Sequence, residues 1–203
     1  MIKPLSCFIL LLFSISSFSQ RYKDYEIGPM FNYEHTTLLV ADGVLNDEEG
    51  SGHSTSGFEP NYAAGIYAIY YFKPKFGLGA ELYFQRTSSA ELPSGEYYNS
   101  LTFMPYVNVD PFRYIKNWHF GGGVGVAFIQ EVPDYRGTVM EEDVRVITIP
   151  LKLSTSYRIR NHITFELGAQ AEVLEVVDNN VRRMALFFGV KIPLNRLNRY
   201  YYR

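Results

Sequence analysis

Six ionisable residues, Glu34, Glu81, Lys152, Glu166, Glu172 and Lys191, occupy alternate positions in segments otherwise rich in aliphatic and aromatic side chains. Placed on one inward face, they could form a proton or ion path through a pore. They could equally form a plug of ion pairs in a narrow lumen. A barrel of about eight strands holds only its own side chains or one small ligand. Isolated buried charges cost several kcal/mol each, so charges enclosed there must pair. The size argument favours the plug, with Lys152 and Lys191 expected to pair with Glu81 and Glu166.

Other chemistry-bearing residues are sparse. The four histidines, His35, His53, His119 and His162, show no metal-ligand spacing. His35, with Thr36, Thr37 and Ser88, is the one cluster that could seed a hydrolytic triad at a barrel rim, and such a triad is defined by geometry rather than sequence. His119 and His162 fall near short turns, where an interfacial position is expected. The run Gly121-Gly122-Gly123 with Gly125 lacks the following helix and the Lys-Ser/Thr pair of a phosphate loop. Glycines within a strand instead permit bends or the close approach of a large neighbour. The acidic stretch Asp42–Glu49 does not fit calcium-loop spacing. The sequence therefore assigns no catalytic, cofactor-binding or metal-ligating residue.

The elements that would carry these residues are strands. Eight segments alternate in period two between turn signals: Tyr25–Leu39, Asn61–Phe72, Phe76–Thr87, Ser100–Asp110, Trp118–Gln130, Val144–Tyr157, Ile163–Val173 and Arg183–Leu194. The third is representative, with Phe76, Leu78, Ala80, Leu82 and Phe84 on one face and Gly77, Gly79, Glu81, Tyr83 and Gln85 on the other. A tilted strand needs about 9–11 residues to cross a hydrocarbon layer, and these segments are that long or longer. The connections alternate long and short, as in outer-membrane barrels with long external loops and short periplasmic turns. The long ones carry Asp42, Asp47, Glu48, Glu49, Glu91, Glu96, Asp134, Glu141, Glu142 and Asp143. The short ones carry Lys73, Lys75, Arg113, Lys116, Arg158 and Arg160; Arg182 and Arg183, near the last long loop, break the pattern. Aromatic residues cluster at the segment ends, with Tyr70, Tyr71, Phe72, Phe76, Phe112, Tyr114 and Trp118 toward one end and Phe58, Tyr62, Tyr97 and Tyr98 toward the other. Girdles of this kind flank the apolar band of membrane barrels.

Composition agrees with this class. The chain has 203 residues, a formal net charge of −2 and 16 % aromatic residues, with 17 Tyr, 15 Phe and one Trp. That charge supplies no basic surface for nucleic acid. Residues 1–20 read as a signal peptide, with Lys3, the apolar run from Phe8 to Phe13, and Ser16, Ser17 and Ser19 before a cut near Gln20. Cys7, the single cysteine, would leave with it, and residues 21–203 would form one domain without thiols.

The signal ending Ser17-Phe-Ser-Gln20, the strand Phe120-Gly-Gly-Gly-Val-Gly-Val126 and the closing segment Leu186-Phe-Phe-Gly-Val-Lys-Ile-Pro-Leu194 resemble the small outer-membrane β-barrel proteins of Bacteroidetes type, PorT-like and of OmpA–OmpX-like barrel form. The tail Asn195–Arg203 departs from that pattern, in which the closing strand ends the chain. The resemblance implies an outer-membrane location and no single activity. The expectation is an all-β, eight-stranded antiparallel up-and-down transmembrane barrel. Its role would be structural or interactive, without enzymatic activity. It would contact outer-membrane lipid, lipopolysaccharide and an envelope protein partner through its external loops. The competing readings are a narrow transport pore, a lipid-modifying barrel enzyme and a soluble ligand-binding barrel.

Overall fold

A computed structural model describes residues 25–40, 54–55, 58–73, 76–88, 97–111, 117–131, 146–159, 163–174 and 181–195. The expected signal peptide, most of the acidic and basic connection residues, His53, His162, Phe112 and Tyr114 lie outside them.

Eight strands make up the fold. They are β1 (Tyr25–Val40), β2 (Glu59–Lys73), β3 (Phe76–Thr87), β4 (Tyr98–Val109), β5 (Trp118–Val124 continuing as Val126–Glu131), β6 (Ile147–Thr148 continuing as Pro150–Ile159), β7 (Ile163–Glu172) and β8 (Val181–Lys191). A short segment, Ser54–Thr55, pairs with Leu39 and Val40 at the end of β1. Every consecutive pair of strands is antiparallel, and β8 returns to pair with β1. The sheet is therefore a closed barrel with no free edge. Antiparallel neighbours joined in sequence are what short hairpin turns produce, and closure satisfies the edge groups that an open sheet exposes.

The register fixes the shape. Directly opposed residues run from Thr148 on β6 through Ala127, Thr102, Tyr83, Gly65, Met30, Lys191 and Thr164, and return to β6 at Arg158. One circuit thus displaces the path by ten residues along β6. A stagger of this size tilts the strands by about 35–45° from the barrel axis.

Alternation sorts the side chains as expected, but in the opposite sense to a soluble protein. The outward face carries Phe31, Tyr33, Ile66, Leu82, Phe84, Phe103, Leu153, Leu167 and Leu186, all exposed. The largest fully enclosed side chains include Arg183, Tyr83, Glu26, Glu34 and Glu81. Exposed apolar patches of this extent mark surfaces meant for something other than water. Among the described residues no helix is long and apolar enough to cross a membrane.

Three departures from the sequence-based expectation concern boundaries and faces. Strands β5 and β6 are each interrupted, at Gly125 and Ile149, where Gly125 N–H donates to Pro150 O at 2.8 Å and Val173 N–H to Ile149 O at 2.8 Å. The register is the same on both sides of the break, so the interruption does not slip the strands. Tyr98 faces inward and is buried, and Tyr71 packs against the interior cluster rather than standing in the girdle. After Lys191 the chain keeps following β1. Ile192 N–H donates to Pro29 O at 3.1 Å, and the Asn195 amide donates to Tyr25 O at 2.7 Å while accepting from Ile27 N–H at 3.4 Å.

Candidate functional site

The interior is the candidate site, because it gathers the ionisable residues. All six named from the sequence point into the lumen and are buried. At the centre, four of them form a closed ring. Lys152 Nζ lies 2.8 Å from Glu81 Oε2 and 3.1 Å from Glu166 Oε1, and Lys191 Nζ lies 2.6 Å from Glu81 Oε1 and 2.7 Å from Glu166 Oε2. Each ammonium touches both carboxylates, so the group is neutral and each charge is doubly compensated. Aromatic faces close around it. Lys191 Nζ is 4.9 Å from the Tyr106 ring centre, and Lys152 Nζ is 4.9 Å from that of Phe187.

Glycine makes room for those rings. Gly65, Gly79 and Gly168 are the direct cross-strand partners of Tyr83, Tyr106 and Phe187, and a Cβ on any of them would strike the partner. In the glycine run of β5, a Cβ at Gly121 would lie 2.7 Å from Ser154 Oγ, and one at Gly123 would meet Pro105 O and Tyr106. The run therefore serves close packing, and it sits within a strand rather than ahead of a helix.

Toward the end where β1 finishes and β8 begins, Arg183 Nη2 lies 2.7 Å from Glu34 Oε2, and its Nη1 lies 3.5 Å from Glu172 Oε1. Gln85 Nε2 also donates to Glu34 Oε2. Here two carboxylates share one guanidinium. Between this group and the ring, Tyr83 OH donates to Gln170 Oε1 at 3.2 Å. Toward the opposite end, Arg158 Nη2 lies 2.6 Å from Glu26 Oε1 and also donates to Tyr71 OH. His119 packs against Tyr71 there, with ring centres 6.4 Å apart. A cavity of about 20 Å³ opens beside these residues, room for roughly one water molecule.

Several of these participants were not assigned to the interior from sequence. Arg183 opens the last expected segment beside the long loop and Arg158 belongs to the expected short turn, yet both are buried in ion pairs. His119 is buried in the lumen rather than at an interface. Glu26 has no assignment from sequence, whereas Gln85 shares the expected face of Glu81. The signal that finds them is parity. Glu26 shares it with Glu34, Arg158 with Lys152, and Arg183 with Lys191.

The hydrolytic cluster does not assemble. His35 faces outward with its ring edge-on to Tyr33 at 5.1 Å, whereas Thr36 is buried on the opposite face. The Ser88 hydroxyl donates to Asn61 Oδ1 at 2.9 Å. Among the described residues no group of three or more potential metal ligands comes together.

No protein-family model and no curated protein sequence matches the chain. Among solved structures, the chain resembles Neisserial surface protein A (NspA), with a TM-score of 0.52 and 13 % identity over 82 % of this chain and 96 % of that one. It also resembles Ail, the attachment invasion locus protein of Yersinia pestis, with a TM-score of 0.50 and 9 % identity over 83 % of this chain and 98 % of that one. A third match is the outer membrane protein OprG from Pseudomonas aeruginosa, at a TM-score of 0.38 and 12 % identity, over 83 % of this chain and 97 % of that one. The first two establish the fold, that of an eight-stranded outer-membrane-type barrel.

Proposed function

We propose that this chain is an outer-membrane protein, exported by its N-terminal signal and related to the PorT-like barrels, with a structural or interaction role rather than an enzymatic one. The single observation that carries the reading is the inverted distribution of side chains. A closed barrel presents apolar residues outward and encloses ion pairs. Water would be a poor solvent for that outer face, and hydrocarbon a good one. The three charged groups are stacked along the lumen and each is held together by its own ion pairs, which favours a plug over a conducting path. With the lumen filled, interactions fall to the outer surface. Membrane lipid and lipopolysaccharide would meet the wall, and an envelope protein partner the external loops.

The test is membrane fractionation with heat-modifiable gel migration, followed by planar-bilayer conductance of the purified protein. Outer-membrane recovery, a folded band that shifts on boiling and no single-channel steps are expected. Discrete conductance steps would replace the plug by a narrow pore. A soluble protein without a band shift would overturn the membrane placement itself.

A further inference from the structure

Strand β3 presents Phe76, Leu78, Ala80, Leu82 and Phe84 outward, and the next outward position is Arg86. Its guanidinium carbon lies 3.5 Å from the centre of the Tyr97 ring, and its Nη1 donates to Tyr62 OH at 3.4 Å. Stacking fixes the plane of the guanidinium against a tyrosine face. The Tyr62 contact occupies one nitrogen, and among the described residues the Nε–Nη2 edge makes no hydrogen bond. That edge is the planar fork that matches the oxygens of a phosphate two at a time.

Position decides which phosphate. From Phe76 to Arg86 the strand advances roughly 33 Å at about 3.3 Å per residue. A tilt of about 35–45° reduces this to roughly 25 Å along the barrel axis, which is the height of the apolar band of such barrels. Phe76 and Arg86 therefore stand at opposite edges of the band. Arg86 belongs to the edge away from Tyr25 and Lys191, where the chain enters and leaves the barrel. In the placement proposed above, on which this step rests, that edge meets the headgroups of the outer leaflet.

We infer that Arg86, oriented by Tyr97 and Tyr62, is a binding site for the sugar-linked phosphate of an outer-leaflet glycolipid of the lipid A class. The experiment follows the heat-shift midpoint of the protein in neutral detergent during titration with four lipids: bis-phosphorylated lipid A, its monophosphorylated form, dephosphorylated lipid A and phosphatidylglycerol. Phosphorylated lipid A raises the midpoint of the wild type, and the dephosphorylated lipid does not. Arg86→Gln keeps the detergent midpoint but binds phosphorylated lipid A at least tenfold more weakly, and Arg86→Lys falls between the two. The inference is overturned if Arg86→Gln responds like the wild type, if dephosphorylation makes no difference, or if phosphatidylglycerol is as effective as lipid A. Absence of any heat-shifted band in the wild type is a different result, because it removes the membrane placement and not the phosphate site alone.

Discussion

The two ways in which the interior compensates charge have different consequences for substitution. In the central ring each carboxylate retains one ammonium when the other is removed. Lys152→Met is expected to cost about 3 kcal/mol, the low end for breaking a buried pair. Arg183→Met strips Glu34 and Glu172 of the guanidinium they share, and is expected to cost about 5 kcal/mol. Urea unfolding in lipid vesicles, read by Trp118 as the one tryptophan, ranks the two. Equal costs, or either below about 1 kcal/mol, would contradict this account of the network. Much of the interior was legible at this scale, because a charge in mid-strand has its face dictated by its neighbours. Glu81, between Ala80 and Leu82, could only point inward. Arg158 and Arg183 were not legible, because a charge at a strand end is equally at home in a turn. Only the stagger of neighbouring strands shows that the lumen extends around them.

Among the elements, the β1–β8 seam is the one the sequence described least well. The tail Asn195–Arg203 departs from the usual pattern, and its first residue extends the seam, the side chain of Asn195 replacing a backbone pairing partner. Asn195→Ala should cost about 1 kcal/mol. Hydrogen exchange should show it directly, with faster exchange at the Ile27 amide and none at Phe31, deeper in the ladder. The ten-residue stagger gives a second expectation. Polarised infrared spectroscopy of oriented bilayers should report strands tilted by about 35–45°, and strands parallel to the membrane normal would refute the register. Strand faces were legible because period two leaves no intermediate assignment. The breaks at Gly125 and Ile149 were not, since they depend on what the adjacent strand offers as a hydrogen-bond partner.

For the molecule as a whole, the membrane placement proposed above makes the outer wall set the depth at which it sits in lipid. Ile66 and Tyr70 are on the same exposed face of β2, and that placement puts the first in the middle of the band and the second in the girdle. Ile66→Arg should destabilise by about 2–4 kcal/mol and Tyr70→Arg by no more than about 1 kcal/mol, since the cost of an exposed charge falls with distance from the midplane. Comparison of refolding midpoints in bilayers tests this. Similar penalties at both positions would place the apolar band elsewhere.

The ion pairs of the lumen also impose an order of events. Among the described residues, strands β1 to β4 supply Glu26, Glu34 and Glu81 to the interior and no cation. The later strands supply Lys152, Arg158, Arg183 and Lys191, together with Glu166 and Glu172. The first half of the chain is thus an anionic trough and the second a cationic one. Neither can enter hydrocarbon alone without carrying uncompensated charge. In the proposed membrane placement the halves would therefore recognise each other at the membrane surface, where water remains available. Refolding should accordingly slow as added salt screens their attraction, while the finished barrel, its charges enclosed, should be far less sensitive to salt.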